Sequence, residues 1–315
     1  MKDTLGRTID YLRISVTDLC NYRCLYCMEP GGVEKRTHSE MLSFEELVEI
    51  AQAAADCGVR KLRLTGGEPL VRRGIVSLCK ALRGIEGIEE LTLTTNGSLL
   101  PELAQPLREA GVDRLNISLD TLDPVKFSEI TRIGRLEAVL EGLAAAERAG
   151  FENIKLDCVL LGGVNTDEIP ALAQLSVQRP WSVRFIELMP MGVCAKMPPE
   201  RFVSADCVLK ALPEPIPLGL QGVAELYRLP GALGTVGLIR ALSHSFCQSC
   251  NRLRLTADGT IKPCLHSAAE FSLRGLHGGA LRQAILSAAM AKPARHALCE
   301  RGFSDTARGM HEIGG

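Results

Sequence analysis

Repetition of one unit constrains the fold of this chain more than any other feature of its sequence. Between residues 11 and 189, a short β-rich run followed by a turn and a longer helical pattern recurs along the chain. Such β/α units favour right-handed crossovers and a parallel sheet with functional groups at the strands' C-terminal ends. The predicted strands are residues 11–16, 61–65, 90–95, 114–120, 153–161 and 183–189.

These strands alternate polar and apolar side chains. Lys61, Arg63 and Thr65 share one face of the second strand, and two leucines share the other. A strand in a filled parallel barrel is apolar on both faces, so a polar face indicates a wet interior that holds a ligand. We therefore predict an α/β fold with an incomplete (β/α)6 barrel and a charged cavity. An antiparallel sheet with one solvated face is the alternative, and the intervening helices disfavour it.

The sixth strand breaks the alternation. Arg184 and Met189 have opposite parity. Both can line the cavity only if the strand contains a bulge or if Met189 already lies on the following loop.

Three cysteines follow the first predicted strand. Cys20, Cys24 and Cys27 have the spacing C-x3-C-x2-C in the segment CNYRCLYC. Three thiolates suit a cubane iron–sulfur cluster, which normally takes four protein ligands, so one iron is left for an exchangeable ligand. The spacing therefore predicts a cluster that performs chemistry.

A second group of three cysteines lies near the C-terminus, at Cys247, Cys250 and Cys264. The Asp258-Gly259 pair predicts a hairpin turn, which would bring Cys264 back toward Cys250. Zinc with His244 or His266 as a fourth ligand fits this spacing as well as an iron–sulfur cluster does.

Composition excludes some classes of protein. The chain has 36 basic and 37 acidic residues, which argues against a protein that coats nucleic acid. No apolar run reaches the roughly 18 residues that a membrane span requires, and the first ten residues lack the apolar core of a signal peptide. We therefore expect a cytoplasmic protein that binds neither nucleic acid nor membrane. Reduced cytosolic thiols favour metal ligation over disulfides. The six single cysteines are interpreted as small buried hydrophobes: Cys57, Cys79, Cys158, Cys194, Cys207 and Cys299.

Proline and glycine mark the remaining boundaries. Residues 190–230 are rich in both, with one helix predicted at 205–212, so we divide the chain into domains 1–220 and 221–315. The second domain is predicted to contain strands 225–229 and 235–239 and a helix near 279–291. The terminal glycine pair is a frayed end unless it enters a narrow pocket. Gly66 and Gly67, after the second strand, would let the backbone approach a ligand closely or form an ordinary strand-to-helix loop.

The segments CNYRCLYC and TGGEP together resemble the radical S-adenosylmethionine superfamily. Within it, the chain resembles the GTP 3′,8-cyclases of molybdenum-cofactor biosynthesis over nearly its whole length. The segments that carry this resemblance are LRISVTDLCNYRCLYC, KLRLTGGEPL, TLTTNG, LNISLDTL, VRFIELMP, CQSCNRLRLTADGTIKPCL and the closing IGG. The three-cysteine segment with CNRLRL and the IGG tail is more specific than the first two motifs.

The resemblance implies two 4Fe-4S clusters and S-adenosylmethionine as cofactors. Cys20, Cys24 and Cys27 would hold the first cluster, whose open iron chelates S-adenosylmethionine. Cys247, Cys250 and Cys264 would hold the second cluster in a C-terminal α+β extension of a radical-SAM barrel. The residues implied to contact S-adenosylmethionine are Tyr26, Gly67, Ser118 and Met189.

The resemblance also implies a lyase that converts GTP to 3′,8-cyclo-7,8-dihydro-GTP. A 5′-deoxyadenosyl radical would remove the ribose 3′ hydrogen, and the carbon radical would attack C8 of guanine. The residues implied to contact GTP are Arg13, Lys61, Arg63, Thr94, Lys155, Arg184, Arg252, Leu253 and Arg254. Those implied to be catalytic are Arg252, Arg254, Gly314 and Gly315, with the two glycines entering the active-site pocket.

The implied partners are an external electron donor and, downstream, cyclic pyranopterin monophosphate synthase. A homodimer is one candidate assembly. Two alternative functions are disfavoured. A radical enzyme acting on a peptide would usually have more C-terminal cysteines, and a non-enzymatic zinc-ribbon or iron–sulfur protein has no obvious use for a polar-faced barrel.

Overall fold

The structure is a computed structural model that describes residues 1–34, 36–296, 298 and 302–314, apart from the side chain of His38. The six predicted strands are present and pair in sequence order, each parallel to the next. Their bounds differ from the predicted ones by at most two residues. They are β1 (Tyr11–Ser15), β2 (Lys61–Thr65), β3 (Glu90–Thr95), β4 (Arg114–Ser118), β5 (Lys155–Leu160) and β6 (Ser182–Glu187).

Helices connect these strands, as the repeated unit predicts. Ser43 caps the first of them: its Oγ accepts from the Glu46 amide at 3.2 Å, and Glu46 Oε2 accepts from the Ser43 amide at 2.7 Å. This reciprocal capping box satisfies two amides that the helix itself cannot bond. The helices are α1 (Phe44–Asp56), α2 (Ile75–Arg83), α3 (Leu100–Glu109), α4 (Pro124–Thr131), α5 (Leu136–Arg148) and α6 (Ile169–Gln178).

The C-terminal part of the chain extends the sheet on both sides. Its elements are α7 (Asp206–Ala211), β7 (Ile216–Gln221), β8 (Ala224–Arg228), β9 (Thr235–Ile239), β10 (Arg252–Leu255), β11 (Thr260–Lys262), β12 (Phe271–Ser272), α8 (Gly278–Met290) and α9 (Met310–Ile313). β9 pairs in parallel with β6, and β10 pairs in parallel with β1. The described strands form one open sheet in the order β12-β11-β10-β1-β2-β3-β4-β5-β6-β9-β8-β7. The fold is therefore an incomplete α/β barrel with an α+β extension.

The predicted hairpin at Asp258-Gly259 is confirmed. β10 and β11 are antiparallel, with Arg254 opposite Lys262. Gly259 has φ +88°, a left-handed conformation that glycine adopts without strain. The hairpin returns the chain toward the second cysteine group.

β7 was not predicted, because its sequence contains Pro217 and Gly219, which are unfavourable inside a strand. All six of its residues are exposed, and its pairing with β8 shifts register between Pro217 and Gly219. These features are tolerated because β7 is an edge strand. It crosses the proposed boundary at residue 220, which stays a prediction.

The two faces of the barrel sheet differ as the alternation predicts. The leucines of β2 and β3 are fully buried in the main hydrophobic core. On the polar face, Arg13, Arg63 and Arg184 are each less than a tenth exposed. These cations are therefore enclosed and not spread over a solvated surface.

The interpretation of the single cysteines as buried hydrophobes holds for three of the five that are described. Cys79, Cys158 and Cys194 are buried, and Cys57 and Cys207 are half-buried. Cys299 lies outside the described residues. Within the described part of the chain, no helix combines the length and apolarity needed to cross a membrane.

Candidate active site

The cysteines of the first group are half-buried, and their thiols are close enough to influence one another. Burial raises the pKa of Cys20 to about 11 and that of Cys27 to about 12. Burial also raises the pKa of Cys24 well above its ordinary value, and negative charge on Cys27 raises it further. Three thiolates here would repel one another in a desolvated site, and bound iron cations would remove that cost. The donor set therefore fits an iron–sulfur cluster.

Tyr26 lies between two of these cysteines and is fixed from both ends. Its hydroxyl donates to Asp120 Oδ2 at 2.6 Å, and its carbonyl accepts from the Cys194 thiol at 2.7 Å. Burial raises the pKa of Asp120 to about 6. Neither Asp120 nor Cys194 was identified from sequence as part of the site, although Asp120 ends the polar face of the fourth predicted strand.

The paired glycines after β2 pack directly against the cysteine loop. A Cβ atom on Gly67 would lie 2.3 Å from the Leu19 carbonyl oxygen, and one on Gly66 would lie 2.2 Å from the Thr17 carbonyl oxygen. The Gly67 amide donates to the Thr17 carbonyl at 2.8 Å. Only glycine fits these positions, so the turn and the cysteine loop form one unit.

Glu68, the next residue of this turn, is almost fully buried. Its carboxylate accepts from the Leu70 amide at 3.0 Å, the Thr95 hydroxyl at 2.7 Å and the Asn96 amide at 2.7 Å. Burial nevertheless raises the pKa of Glu68 to about 7. Glu68 therefore ties the turn after β2 to the C-terminal end of β3.

The residues predicted to contact S-adenosylmethionine lie at the same edge of the sheet. Tyr26 follows β1, Gly67 follows β2, and Ser118 ends β4. Met189 lies two residues beyond β6 and is half-buried. The sequence left two possibilities for the sixth strand, a bulge or a position of Met189 on the following loop. The structure shows Met189 on the loop. Because C-terminal strand ends meet at one edge, these four residues border the same opening.

The second cysteine group lies beside a buried lysine. Lys292 Nζ donates to the carbonyls of Arg252 at 2.8 Å and Pro263 at 2.9 Å. Burial alone would raise the pKa of Cys250, but the charges of Lys292 and Arg252 outweigh it and lower this pKa below its ordinary value. A thiolate is the form that binds metal, so these surroundings fit metal ligation.

The two histidines that are candidate zinc ligands, His244 and His266, have other partners. His266 Nδ1 lies 3.1 Å from the Ser304 hydroxyl, and its ring lies 4.5 Å from that of His296. Burial and the charges of His296 and Arg254 lower the pKa of His266 to about 3. His244 Nδ1 lies 3.3 Å from the Ser243 hydroxyl at an exposed position. Among the described residues, no three His, Cys, Asp or Glu side chains form a ready-made site for a single metal ion.

Four of the predicted GTP contacts form a dense arginine cluster between the two cysteine groups. In strand register, Arg13 stands beside Arg63 on β2 and Arg254 on β10. Burial lowers the pKa of Arg13 well below its ordinary value, and the charges of Arg254 and Arg63 lower it further. Burial and the charge of Arg252 lower the pKa of Arg254 to about 10. Concentrating these charges is unfavourable unless an anion binds among them.

A second group of cations lies on β5 and β6. Burial lowers the pKa of Lys155 to about 7, and the charges of Arg184, Arg114 and Arg63 contribute. Burial likewise lowers the pKa of Arg184 to about 10. Arg63 links the two groups, because its charge lowers the pKa of both Arg13 and Lys155.

The remaining predicted GTP contacts occupy different positions. Thr94 Oγ1 accepts from Arg63 Nη1 at 3.4 Å. Lys61 is half-buried at the start of β2, opposite Tyr11. The Leu253 side chain is fully buried in the core, so its backbone is the part that could face a ligand.

The space along the polar strand faces that these two groups of cations surround is called the chamber below. Tyr11 and Arg114 also belong to it but were not identified from sequence as site residues. The Tyr11 ring lies near two guanidinium groups, with its centroid 5.7 Å from Arg63 Cζ and 5.9 Å from Arg252 Cζ. Arg114 pairs with Glu90 at 2.5 Å. Both stand on the polar face of their strands, so the alternation that identified Arg63 also pointed to them.

The C-terminal tail enters this chamber. Arg254 Nη1 donates to the Ile313 carbonyl at 3.2 Å and to the Gly314 carbonyl. Gly314 has φ +69°, and a Cβ atom there would lie 2.3 Å from Thr65 Cγ2. Gly314 therefore reaches the end of β2, next to the paired-glycine turn. Gly315 lies outside the described residues.

Two family models match the chain. Residues 14–176 match the Radical SAM superfamily, and residues 181–298 match Molybdenum Cofactor Synthesis C. The first match contains the first cysteine group and its turn, and the second contains the second cysteine group.

The chain is also similar to curated proteins over its full length. It is 45% identical over 320 residues to a GTP 3′,8-cyclase of Alkaliphilus oremlandii, covering 100% of both chains. It is 49% identical over 319 residues to a GTP 3′,8-cyclase of Peptoclostridium acidaminophilum, covering 99% of this chain and 98% of the relative.

Among solved structures, the fold resembles that of Streptococcus suis SuiB, with a TM-score of 0.66 and 14% identity over 93% of this chain and 68% of SuiB. The resemblance to SuiB bound to S-adenosylmethionine has a TM-score of 0.62 and 16% identity over 93% of this chain and 70% of that one. At this identity the likeness concerns the fold alone.

Proposed function

Because the chain belongs to the GTP 3′,8-cyclase family of radical S-adenosylmethionine enzymes, we propose that it converts GTP to 3′,8-cyclo-7,8-dihydro-GTP, the first step of molybdenum-cofactor biosynthesis. The observation that carries this proposal is the buried arginine cluster between the two cysteine groups. A triphosphate has several negative charges, and forked guanidinium groups match phosphate geometry well. The chamber thus has the charge that GTP requires and a cysteine group on each side.

Cys20, Cys24 and Cys27 would hold the first 4Fe-4S cluster. When bound, this cluster supplies the electron that cleaves S-adenosylmethionine to methionine and a 5′-deoxyadenosyl radical. Tyr26, Gly67, Ser118 and Met189 would orient that cofactor. Tyr26 is suited to this work because Asp120 fixes its hydroxyl, and the tight turn at Gly67 offers backbone groups at close range.

Cys247, Cys250 and Cys264 would hold the second 4Fe-4S cluster, with guanine facing its open iron. Arg13, Arg63 and Lys155 would then contact the nucleotide along the polar strand faces. The other residues proposed to bind GTP are Lys61, Thr94, Arg184, Arg252, Leu253 and Arg254. In this arrangement the ribose would face the first cysteine group, where its 3′ hydrogen would be removed before C8 is attacked.

Arg252, Arg254, Gly314 and Gly315 are the proposed catalytic residues. Arg254 donates hydrogen bonds to the Ile313 and Gly314 carbonyls. The tail held in this way would narrow the chamber near the paired-glycine turn. A tail in this position would exclude water from a reactive carbon radical.

Several features of the cellular setting are part of the same proposal. An external donor would reduce the clusters, and cyclic pyranopterin monophosphate synthase would consume the product. We place the reaction in the cytoplasm, with a homodimer as one candidate assembly, and divide the chain into domains 1–220 and 221–315. None of these roles requires nucleic acid or a membrane.

The test is anaerobic incubation of the reconstituted protein with reductant, S-adenosylmethionine and GTP. The expected result is 5′-deoxyadenosine and 3′,8-cyclo-7,8-dihydro-GTP, both dependent on GTP. If 5′-deoxyadenosine forms equally well without GTP and no cyclised nucleotide appears, the proposal is wrong.

A further inference from the structure

Arg36 lies in the loop between the first cysteine group and α1, and each of its three side-chain nitrogens faces a different carboxylate. Nε donates to Asp18 Oδ2 at 2.5 Å, and Nη2 donates to Glu312 Oε1 at 3.2 Å. Nη1 lies 3.5 Å from Asp258 Oδ2. One guanidinium group therefore contacts three carboxylates at once.

The three carboxylates come from the three parts of the chain that form the chamber. Asp18 precedes Cys20 by two residues, and Asp258 lies in the β10–β11 turn that leads back to Cys264. Glu312 lies on α9, two residues before Gly314. Arg36 thus joins the first cysteine loop, the hairpin of the second cysteine group and the tail.

A second arginine holds the start of the tail. Arg308 Nη1 donates to Asp258 Oδ2 at 2.8 Å, while its Nε and Nη2 donate to the two oxygens of Glu270 at 2.8 and 3.0 Å. The tail is therefore fixed before α9 by Arg308 and within α9 by Arg36.

The positive charge of Arg36 explains why this residue matters for holding α9. Without its guanidinium group, the carboxylate of Glu312 would face those of Asp18 and Asp258, and partly buried like charges repel one another. The tail could relieve that repulsion by moving Glu312 away. Gly314, two residues further on, would move with it.

We propose that Arg36 is a positioning residue that latches the C-terminal tail in the chamber. Arg36 acts through Glu312 and not by contact with the nucleotide. The consequence for catalysis rests on the proposed function, in which Gly314 must occupy the chamber.

Hydrogen exchange of the tail amides tests the latch directly, on the reconstituted full-length enzyme without GTP. In Arg36→Ala, the amides of residues 309–314 should exchange roughly three- to tenfold faster, while those of α5 keep their protection. The matched control is Arg282→Ala, which removes an arginine that faces Asp56 Oδ2 at 3.5 Å and should leave tail exchange unchanged. Unchanged tail exchange in Arg36→Ala would overturn the proposal.

A double variant shows whether Arg36 acts through Glu312. Glu312→Gln removes the charge, yet glutamine can still accept from the Gly309 amide, as Glu312 does at 2.7 Å. If the latch is this pair, the tail of the double variant Arg36→Ala with Glu312→Gln should exchange no faster than that of Arg36→Ala alone, because glutamine removes the repulsion that Arg36→Ala exposes. If the two substitutions instead multiply their separate effects on the exchange rate of the tail amides, Arg36 has another role and the proposal is overturned.

Activity separates this inference from the function on which it rests. In Arg36→Ala, cyclisation should fall by roughly tenfold or more with iron content unchanged, since small misplacements at a catalytic site cost large factors in rate. An inactive wild-type enzyme whose tail exchange responds to Arg36→Ala would remove the proposed function and keep the latch. Full wild-type cyclisation with no response of the tail would remove only the latch.

Discussion

Gly314 packs against Thr65 so closely that a Cβ atom on the glycine would lie 2.3 Å from Thr65 Cγ2. Thr65 ends β2 and directly precedes the paired-glycine turn. The tail and the paired-glycine turn therefore meet at one point. This contact is possible because residue 314 has no side chain.

Gly314→Ala should lower cyclisation by about a hundredfold or more without loss of iron, because the new methyl group must displace the tail. The control is Gly302→Ala. Gly302 also has a left-handed φ, +76°, but no atom of the described residues lies within 4 Å of its Cβ position. Both substitutions carry a similar backbone cost, so equal effects of the two on the cyclisation rate would show that backbone strain, and not the contact with Thr65, limits residue 314.

GTP binding should become weaker as pH rises above about 7. The pKa of Lys155 is lowered to about 7, so the free enzyme loses this charge above that pH. A bound triphosphate favours the protonated lysine. The protein should therefore take up a proton when it binds GTP at pH 8, with an uptake of at most about one proton per site. Calorimetric titrations in two buffers of different ionisation enthalpy measure this uptake.

Lys155→Arg is the control for that measurement, because a guanidinium group stays charged throughout this pH range. The variant should bind GTP with little proton uptake at pH 8. Equal uptake in wild type and variant would assign the titration to a group other than Lys155.

The reconstituted wild type should contain about eight irons per chain, and Cys250→Ala about four, because each proposed cluster has four irons. Cys57→Ala removes a half-buried single cysteine and should keep the wild-type count. About four irons with one zinc in the wild type would contradict the second-cluster assignment. Metal analysis with EPR spectroscopy distinguishes these outcomes.

Glu68→Gln should destabilise the protein by about 1–3 kcal/mol, because both carboxylate oxygens accept hydrogen bonds and an amide group would set donor against donor. The pKa of Glu68 is raised to about 7, so its contribution to stability is full below the unfolded pKa and is lost as pH rises through 7. The free energy of unfolding should therefore differ more between wild type and variant at pH 5 than at pH 8. Denaturant titrations at both values measure it.

Glu46→Gln provides the comparison, since glutamine also completes the capping box at the start of α1. Its free energy of unfolding should be close to that of the wild type at both pH values. A difference that grows from pH 5 to pH 8 in Glu68→Gln would contradict the raised pKa.

Local patterns predicted the elements that obey simple periodicity. The alternation in β2 placed Arg63 on the chamber side, and the Asp258-Gly259 pair predicted the β10–β11 hairpin. β7 was missed because Pro217 and Gly219 lower strand propensity, and pairing at the sheet edge overrides it. The bounds of β4, β5 and β6 differ from the predicted ones by up to two residues, since element ends are the least certain part of a prediction from sequence.

Contacts between distant segments were beyond sequence reasoning. Nothing in local spacing shows that Asp120 holds the Tyr26 hydroxyl or that Arg36 meets Glu312, which is 276 residues away in the chain. Tyr11 could have been identified, because it continues the polar face of Arg13 on β1. Its aromatic ring hid that role, since an aromatic residue in a strand usually signals core.

The most direct test of the central claim follows the hydrogen that leaves the ribose. The reconstituted enzyme is incubated with reductant, S-adenosylmethionine and GTP carrying deuterium at C3′, and the 5′-deoxyadenosine is analysed by mass spectrometry. The account predicts GTP-dependent 5′-deoxyadenosine that has gained deuterium, together with the cyclised nucleotide. 5′-Deoxyadenosine that forms without deuterium from C3′, with GTP left unchanged, would contradict it.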